Sequence, residues 1–432
     1  MGRHVAIRSF AVLLALSVGA SAAAAADISL AVPARSNATP SIAADGSFIA
    51  VAWGASTPEG VTDVFASISR NAGKTFSAPV RVNDVIGDAR LNGEQPPQVG
   101  LVQRLGHDPE VVVVWTSKGD AGTKLLHARS LDGGRTFSRS ALVPGTDAPG
   151  NRGWQAITVE PSGRVDVMWL DHRELASDSA MAASHHDHSA SQKPDGVAMA
   201  QKSKLYLASL DGSLPPRALT GGVCYCCKTA LATAAPGTIF AAWRHVFPGN
   251  LRDMAFAMSR DAGRTFTPTA RVSEDKWVLE GCPDDGPSMA VDAKGIVHVV
   301  WPTLVADAAN GEPTIGIFYA STSDGLRFGR RQAIPTSGIP HHPRVVIARD
   351  GRLIAVWDES ANGSRRIAVA SGNVDPARQM TFKREQIGSS EAAVYPAIAV
   401  AGDVAIVAWT SGASASSSIR VHRVAGGATS SH

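Results

Sequence analysis

Along the chain, short apolar runs alternate with turn residues, and seven of these runs end in tryptophan. PSIAADGSFIAVAW closes at Trp53, PEVVVVW at Trp115, ITVEPSGRVDVMW at Trp169 and ALATAAPGTIFAAW at Trp243. PSMAVDAKGIVHVVW, PRVVIARDGRLIAVW and PAIAVAGDVAIVAW close at Trp301, Trp357 and Trp409. In most of them a short apolar strand passes through a Gly-containing turn into an alternating or continuously apolar strand, the pattern of a β-hairpin. Successive tryptophans stand 62, 54, 74, 58, 56 and 52 residues apart, close to the length of a four-stranded propeller blade with its loops.

The pattern therefore predicts an all-β chain, a β-propeller of seven four-stranded blades, with six as the alternative count. The last unit, Ala392 to Ala425, has room for three strands (PAIAV, VAIVAW, SIRVHRV), while DISLAV at 27–32 precedes the first unit. This N-terminal strand is expected to complete the last blade, closing the ring and removing exposed sheet edges. The expected layout is one propeller domain over 27–425, with an insertion at about 174–204 and a disordered tail at 426–432.

The first 26 residues read differently. A basic start, an apolar run from about Phe10 to Val18 and a string of small residues before Asp27 form the pattern of a secretory signal peptide. The expectation is an exported protein, periplasmic or secreted. No later stretch has the roughly twenty uninterrupted apolar residues of a membrane span. Lys and Arg number 41 against 38 Asp and Glu, a near balance that argues against nucleic acid or anionic membrane as partners. A closed ring needs no second copy to cover an edge, so a monomer is expected.

A second phrase recurs after the third strand of several units. Ser69-Arg-Asn71-Ala-Gly73-Lys-Thr75-Phe76 returns at Ser130 to Phe137 and at Ser259 to Phe266, with a weaker copy at Ser321 to Phe328 and degenerate ones at Ser209-Leu-Asp211 and near Thr381-Phe382. Asp or Asn can accept from nearby backbone N–H groups, Gly takes the left-handed conformation, and the aromatic can pack between sheets. The phrase resembles the Asp-box, or BNR repeat, S-x-D-x-G-x-T-W/F, of the sialidase-like propellers. In that family it lies on the turn between third and fourth strands, away from the active site.

The family's sialidases hold a carboxylated sugar with three arginines and use a Tyr nucleophile assisted by Glu, with an Asp acid/base. They have six blades and an Arg-Ile-Pro phrase. This chain counts seven units and begins its first blade ARSNATPSIAADG, without that phrase. What the resemblance leaves open is a glycoside hydrolase of the exo-sialidase type, with Arg152, Arg173 and Arg244 at the channel mouth and Tyr395 as a late-blade nucleophile. A non-catalytic glycan- or protein-binding scaffold is the other alternative.

The residues that stand out fall on one propeller face. Cys224, Cys226 and Cys227 precede blade four, Cys282 precedes blade five, and His341 and His342 precede blade six. His172 and His245 follow Trp169 and Trp243, and the insertion in blade three carries His185, His186 and His188 together with Met181 and Met199. Thiolate, imidazole and thioether form a soft ligand set suited to Cu(I) or Zn(II), with the thioethers favouring copper. The expectation is a metal-handling or metal-delivery propeller, its partners a metal ion and a metal-transfer or envelope protein. The four cysteines would serve as thiolates, His341 and His342 would complete the site, and the His/Met insertion would capture the ion. One disulfide from Cys282 to the cluster, leaving two thiols, is the competing reading. His127, His298 and His422 lie inside strands and are read as packing or surface residues.

Overall fold

The computed structural model describes residues 27–175, 196–279, 283, 285–306, 313–374, 379–387 and 392–424. Among these the strands form seven antiparallel sheets of four. Blade one is β2 (Ser36–Asp45), β3 (Phe48–Ser56), β4 (Thr62–Ser69) and β5 (Val80–Arg81), and blade two is β6 (Gln98–Val102), β7 (Glu110–Gly119), β8 (Gly122–Ser130) and β9 (Ala141–Leu142). Blade three comprises β10 (Arg152–Val159), β11 (Val165–Asp171), β12 (Lys204–Ser209) and β13 (Arg217–Gly221). Blade four comprises β14 (Ala230–Thr233), β15 (Ile239–Arg244), β16 (Met254–Ser259) and β17 (Ala270–Arg271). Blade five is β18 (Ser288–Val291), β19 (Val297–Ala306), β20 (Pro313–Thr322) and β21 (Gln332–Ile334), and blade six is β22 (Ile339–Ile347), β23 (Leu353–Ala361), β24 (Ser364–Val374) and β25 (Met380–Ile387).

Blade seven joins both ends of the chain. β26 (Ala393–Ala401), β27 (Val404–Ser411) and β28 (Ser418–Val424) pair in order, and β1 (Ile28–Leu30) adds to β28 with Ser29 opposite Arg420. The expected closure is thus present. It is sealed at one end by His422, whose Nδ1 lies 2.8 Å from Asp27 Oδ1.

The seven tryptophans sit on the second strand of each blade and are at most 1% exposed, because alternation turns them into the space between neighbouring sheets. Burying an indole leaves one N–H to satisfy. Five find a partner: Trp53 donates to Asn37 Oδ1, Trp169 to Asp171 Oδ2, Trp243 to His245 Nδ1, Trp301 to Asp275 Oδ2 and Trp357 to Glu359 Oε2. In three of these the acceptor stands two residues later on the same chain, so Trp-x-Asp, Trp-x-His and Trp-x-Glu are self-contained units.

The Asp-box turns follow the expected chemistry. In the copy at Ser130, Asp132 Oδ1 accepts from Ser130 Oγ at 2.8 Å and from the N–H groups of Arg135 and Thr136 at 3.0 Å, while Thr136 Oγ1 donates to Oδ2 at 2.7 Å. Phe76, Phe137, Phe266 and Phe328 pack against four different interblade cores. The degenerate copy at Ser209 closes the same way, Leu214 N donating to Ser209 Oγ at 2.8 Å. Two assignments shift. In the weaker copy, Thr322 and Asp324 take the Ser and Asp roles, one residue later than the phrase suggests, and Thr381-Phe382 lies within β25 and forms no box.

The insertion is not wholly irregular either. Gly196–Lys202 forms a helix, α1, and Lys204 already belongs to β12, so the segment expected to be loop through 204 ends earlier. His185, His186, His188, Met181 and Cys282, like the expected signal peptide and tail, lie outside the described residues. No helix among the described residues is long and apolar enough to cross a membrane.

Candidate functional site

First strands begin near the propeller axis, and four of them open with the same irregularity. The ladder slips between Ala38 and Ser41, Gly153 and Ala156, His341 and Arg344, and Val394 and Ala397. At each slip one non-glycine residue has positive φ: Thr39 (57°), Trp154 (52°), His342 (53°) and Tyr395 (55°). Such bulges re-aim side chains at a local cost in strain, and the recurrence of one bulge at equivalent positions marks a built feature.

At the axis His342 and Tyr395 meet residues from three other blade starts. Their rings lie 4.4 Å apart between centroids, and His342 Nδ1 is 2.7 Å from Asp358 Oδ1, which also accepts from Tyr395 N at 3.2 Å. Arg365 pairs with the other Asp358 oxygen. On its far side His342 Nε2 stands 3.5 Å from Glu94 Oε1. Lys228 Nζ lies 4.0 Å from Glu94 Oε1 and 3.8 Å from Asp285 Oδ1, and Asp285 holds His342 N at 2.9 Å and His341 Nδ1 at 3.4 Å. Glu94, Lys228, His342 and Tyr395 line a cavity with Arg344, Gly93, Pro40, Pro96 and Pro396 that has room for little more than one water-sized group. A side chain at Gly93 would collide with the Tyr395 ring, so the glycine sets that ring beside Glu94.

Three buried groups facing this cavity each keep a polar atom without a hydrogen-bond partner: Glu94 Oε1, Lys228 Nζ and Arg344 Nε. Burying polar groups unpaired costs free energy, so such atoms together signal a place kept for a ligand or water. Burial pushes the Glu94 carboxyl above its ordinary range, and Lys228 only partly offsets it. Burial likewise lowers the Lys228 ammonium, against the pull of Glu94. Burial opposes a charged His342, yet Asp285, Asp358 and Glu94 outweigh it and raise its pKa. For Asp285 the burial penalty is outweighed by His342, His341 and Lys228, which hold it low.

The thiols form a separate cluster next along the chain. Cys227 Sγ donates to Cys224 Sγ at 3.5 Å, both are free, and both are buried under α1 with Trp154, Tyr225 and Val246. Cys226 is disulfide-bonded, which removes it from the expected set of four thiolates. The bond from Cys227, together with Arg244 and Arg252 and against burial, brings Cys224 down to about 6, while burial and the neighbouring Cys224 push Cys227 up.

The expected single metal cluster is thus divided: His342 groups with Glu94 and Asp285, the cysteines with one another. His172 packs 5.4 Å from Trp154 and burial drives it to about 4. His245 packs on Phe247 at 4.5 Å and burial again takes it to about 4. The three mouth arginines are structural. Arg152 is buried against Asp171 and the carbonyls of Ala148, Pro149 and Gly150, and Arg244 is spent on the carbonyls of Arg252, Asp285 and Pro302. Arg173 pairs with Asp171 and covers the Tyr206 ring.

Sequence reasoning picked out His342 and Tyr395 and missed Glu94, Lys228, Asp285, Arg344 and Asp358. Their common signal is position: Glu94, Lys228 and Asp285 stand just before a first strand, Arg344 just past the bulge in one, and Asp358 directly after the blade tryptophan Trp357.

No protein-family model and no curated protein matches the chain. Solved structures do. The GH93 α-L-arabinofuranosidase of Fusarium graminearum, in complex with arabinobiose, superposes with a TM-score of 0.51 at 11% identity, over 92% of this chain and 97% of that one. An ulvan lyase of polysaccharide lyase family PL25 gives 0.54 at 10%, over 92% and 96%. A Hadza microbial sialidase gives 0.46 at 12%, over 84% and 73%. At these identities the likeness is one of fold: the chain shares the β-propeller fold of the arabinofuranosidase and the ulvan lyase, here with seven blades and Asp-box turns.

Proposed function

We propose that the protein is a carbohydrate-active enzyme whose axial centre cleaves a glycosidic linkage beside a carboxylated sugar. The observation that carries this reading is the trio of buried, unpartnered atoms on Glu94, Lys228 and Arg344 around one axial cavity, which admits a water-sized group and has to widen before a sugar carboxylate reaches it. Lys228 and Arg344 supply cationic donors for a carboxylate. Glu94, kept protonated to higher pH by burial, is the proton carrier for the leaving oxygen. Tyr395, set beside Glu94 through Gly93, completes the Tyr–carboxyl pairing that the resemblance implies, and Asp358 positions His342. Fold neighbours that include an arabinofuranosidase and an ulvan lyase fit a saccharide substrate.

The test is a turnover assay. Sialyl-lactose and oligouronides are incubated with the protein and products identified by mass. Cleavage of a carboxylated saccharide, reduced by about 100-fold or more in Glu94→Gln, supports the reading. Absence of cleavage across both classes, or unchanged cleavage in Glu94→Gln, overturns it.

A further inference from the structure

The axial centre leaves the thiols unused. Cys224 and Cys227 are 1% and 2% exposed, their sulfurs 3.5 Å apart, and both are free. Arg252, itself fully buried, directs Nη1 at Cys224 Sγ from 3.4 Å and leaves Nη2 without a partner. A buried guanidinium with an unused edge beside two thiols is costly unless the sulfurs carry negative charge.

We propose that Cys224 and Cys227 bind one Cu(I) ion as a two-thiolate site. Thiolate is the ligand that selects Cu(I), an ion content with two sulfur donors. A structural zinc ion asks for four ligands. Here the third sulfur of the cluster, Cys226, is committed to a disulfide, and no imidazole or carboxylate joins the cluster among the described residues. The thiol protons leave as the ion enters. Two thiolates and Cu(I) carry one net negative charge, which the Arg252 guanidinium beside Cys224 balances.

Thiol–disulfide exchange with an outside partner is the competing use of the pair. Burial disfavours it, since a protein or glutathione disulfide must reach a sulfur that solvent does not. A bare ion needs far less room. The site shares no proposed ligand with the axial centre, so either can fail alone.

The test uses the full chain prepared without oxygen and titrated with Cu(I) against bicinchoninate. One equivalent should bind with the ultraviolet charge-transfer absorption of a copper–thiolate bond, and copper should protect two thiols from iodoacetamide. Arg252→Lys should weaken binding by about 10- to 100-fold, and Cys224→Ser or Cys227→Ser by more. Should the serine variants fail to fold, wild-type stoichiometry and thiol protection still decide. No copper retained, tighter binding of Zn(II), or a Cys224–Cys227 disulfide in protein never exposed to oxygen overturns the proposal.

Discussion

Glu94 Oε1 and Lys228 Nζ face each other across 4.0 Å at the propeller axis, both side chains buried and neither atom hydrogen-bonded. The separation is too long for a direct bond and suits a bridging water or ligand oxygen. Glu94 comes from the loop before blade two and Lys228 from the loop before blade four, so the pair ties non-adjacent blades through the channel.

Lys228→Met should therefore be destabilising, by about 3–5 kcal/mol, because it strips the nearby cation from buried Glu94 and Asp285. Adding Glu94→Gln to it should recover part of that loss. Chemical denaturation of both single variants and the double variant gives the coupling energy.

Trp357 is fully buried between blades five and six, with its N–H on Glu359. Trp357→Ala opens a cavity and takes one donor from that carboxylate, which keeps Ser337 N and Arg384, so unfolding free energy should fall by about 3–5 kcal/mol. Equilibrium unfolding in urea measures it.

Deleting the chain through Val32 removes β1 and bares β28 along its outer edge. Exposed edges template pairing between molecules. The truncated protein should aggregate at concentrations where the intact chain does not, as light scattering will report.

Slight burial pushes the Asp132 carboxyl up, but hydrogen bonds from Thr136, Ser130 and Arg135 outweigh it and hold it at about 2. A depressed acid contributes stability that is complete above its unfolded value, about 3.9, and is lost as pH falls through the folded one. Thermal melts should show wild type losing stability from about pH 4 towards pH 2. In Asp132→Asn that acid-dependent portion should shrink, while stability at pH 7 drops.

Much of the fold was legible because it is periodic. Tryptophans at blade spacing fixed the count of seven, and Asp-box turns fixed which hairpins they close, since both depend on local hydrogen bonding and alternation. Closure by 28–30 followed from counting strands in the last unit. The site was legible only in part. His342 and Tyr395 stood out as residue types, whereas Glu94, Lys228 and Asp285 are ordinary in sequence and become unusual only once the starts of five blades bury them together. X-Pro at Thr39-Pro40, His342-Pro343 and Tyr395-Pro396 was a usable clue to the bulges that aim those side chains. The cysteines misled for a related reason: sequence proximity of Cys226 to Cys224 and Cys227 says nothing of which sulfur is already bonded.

The axial centre is tested most directly by kcat/KM for a carboxylated oligosaccharide and for the same oligosaccharide with its carboxyl reduced to an alcohol, in wild type and in Glu94→Gln. The account predicts that wild type cleaves the carboxylated substrate at least about 100-fold better, two hydrogen-bonded cations having been left without an anion in the reduced one, and that Glu94→Gln abolishes the difference by losing cleavage. Equal cleavage of both substrates, or full activity in Glu94→Gln, would contradict it.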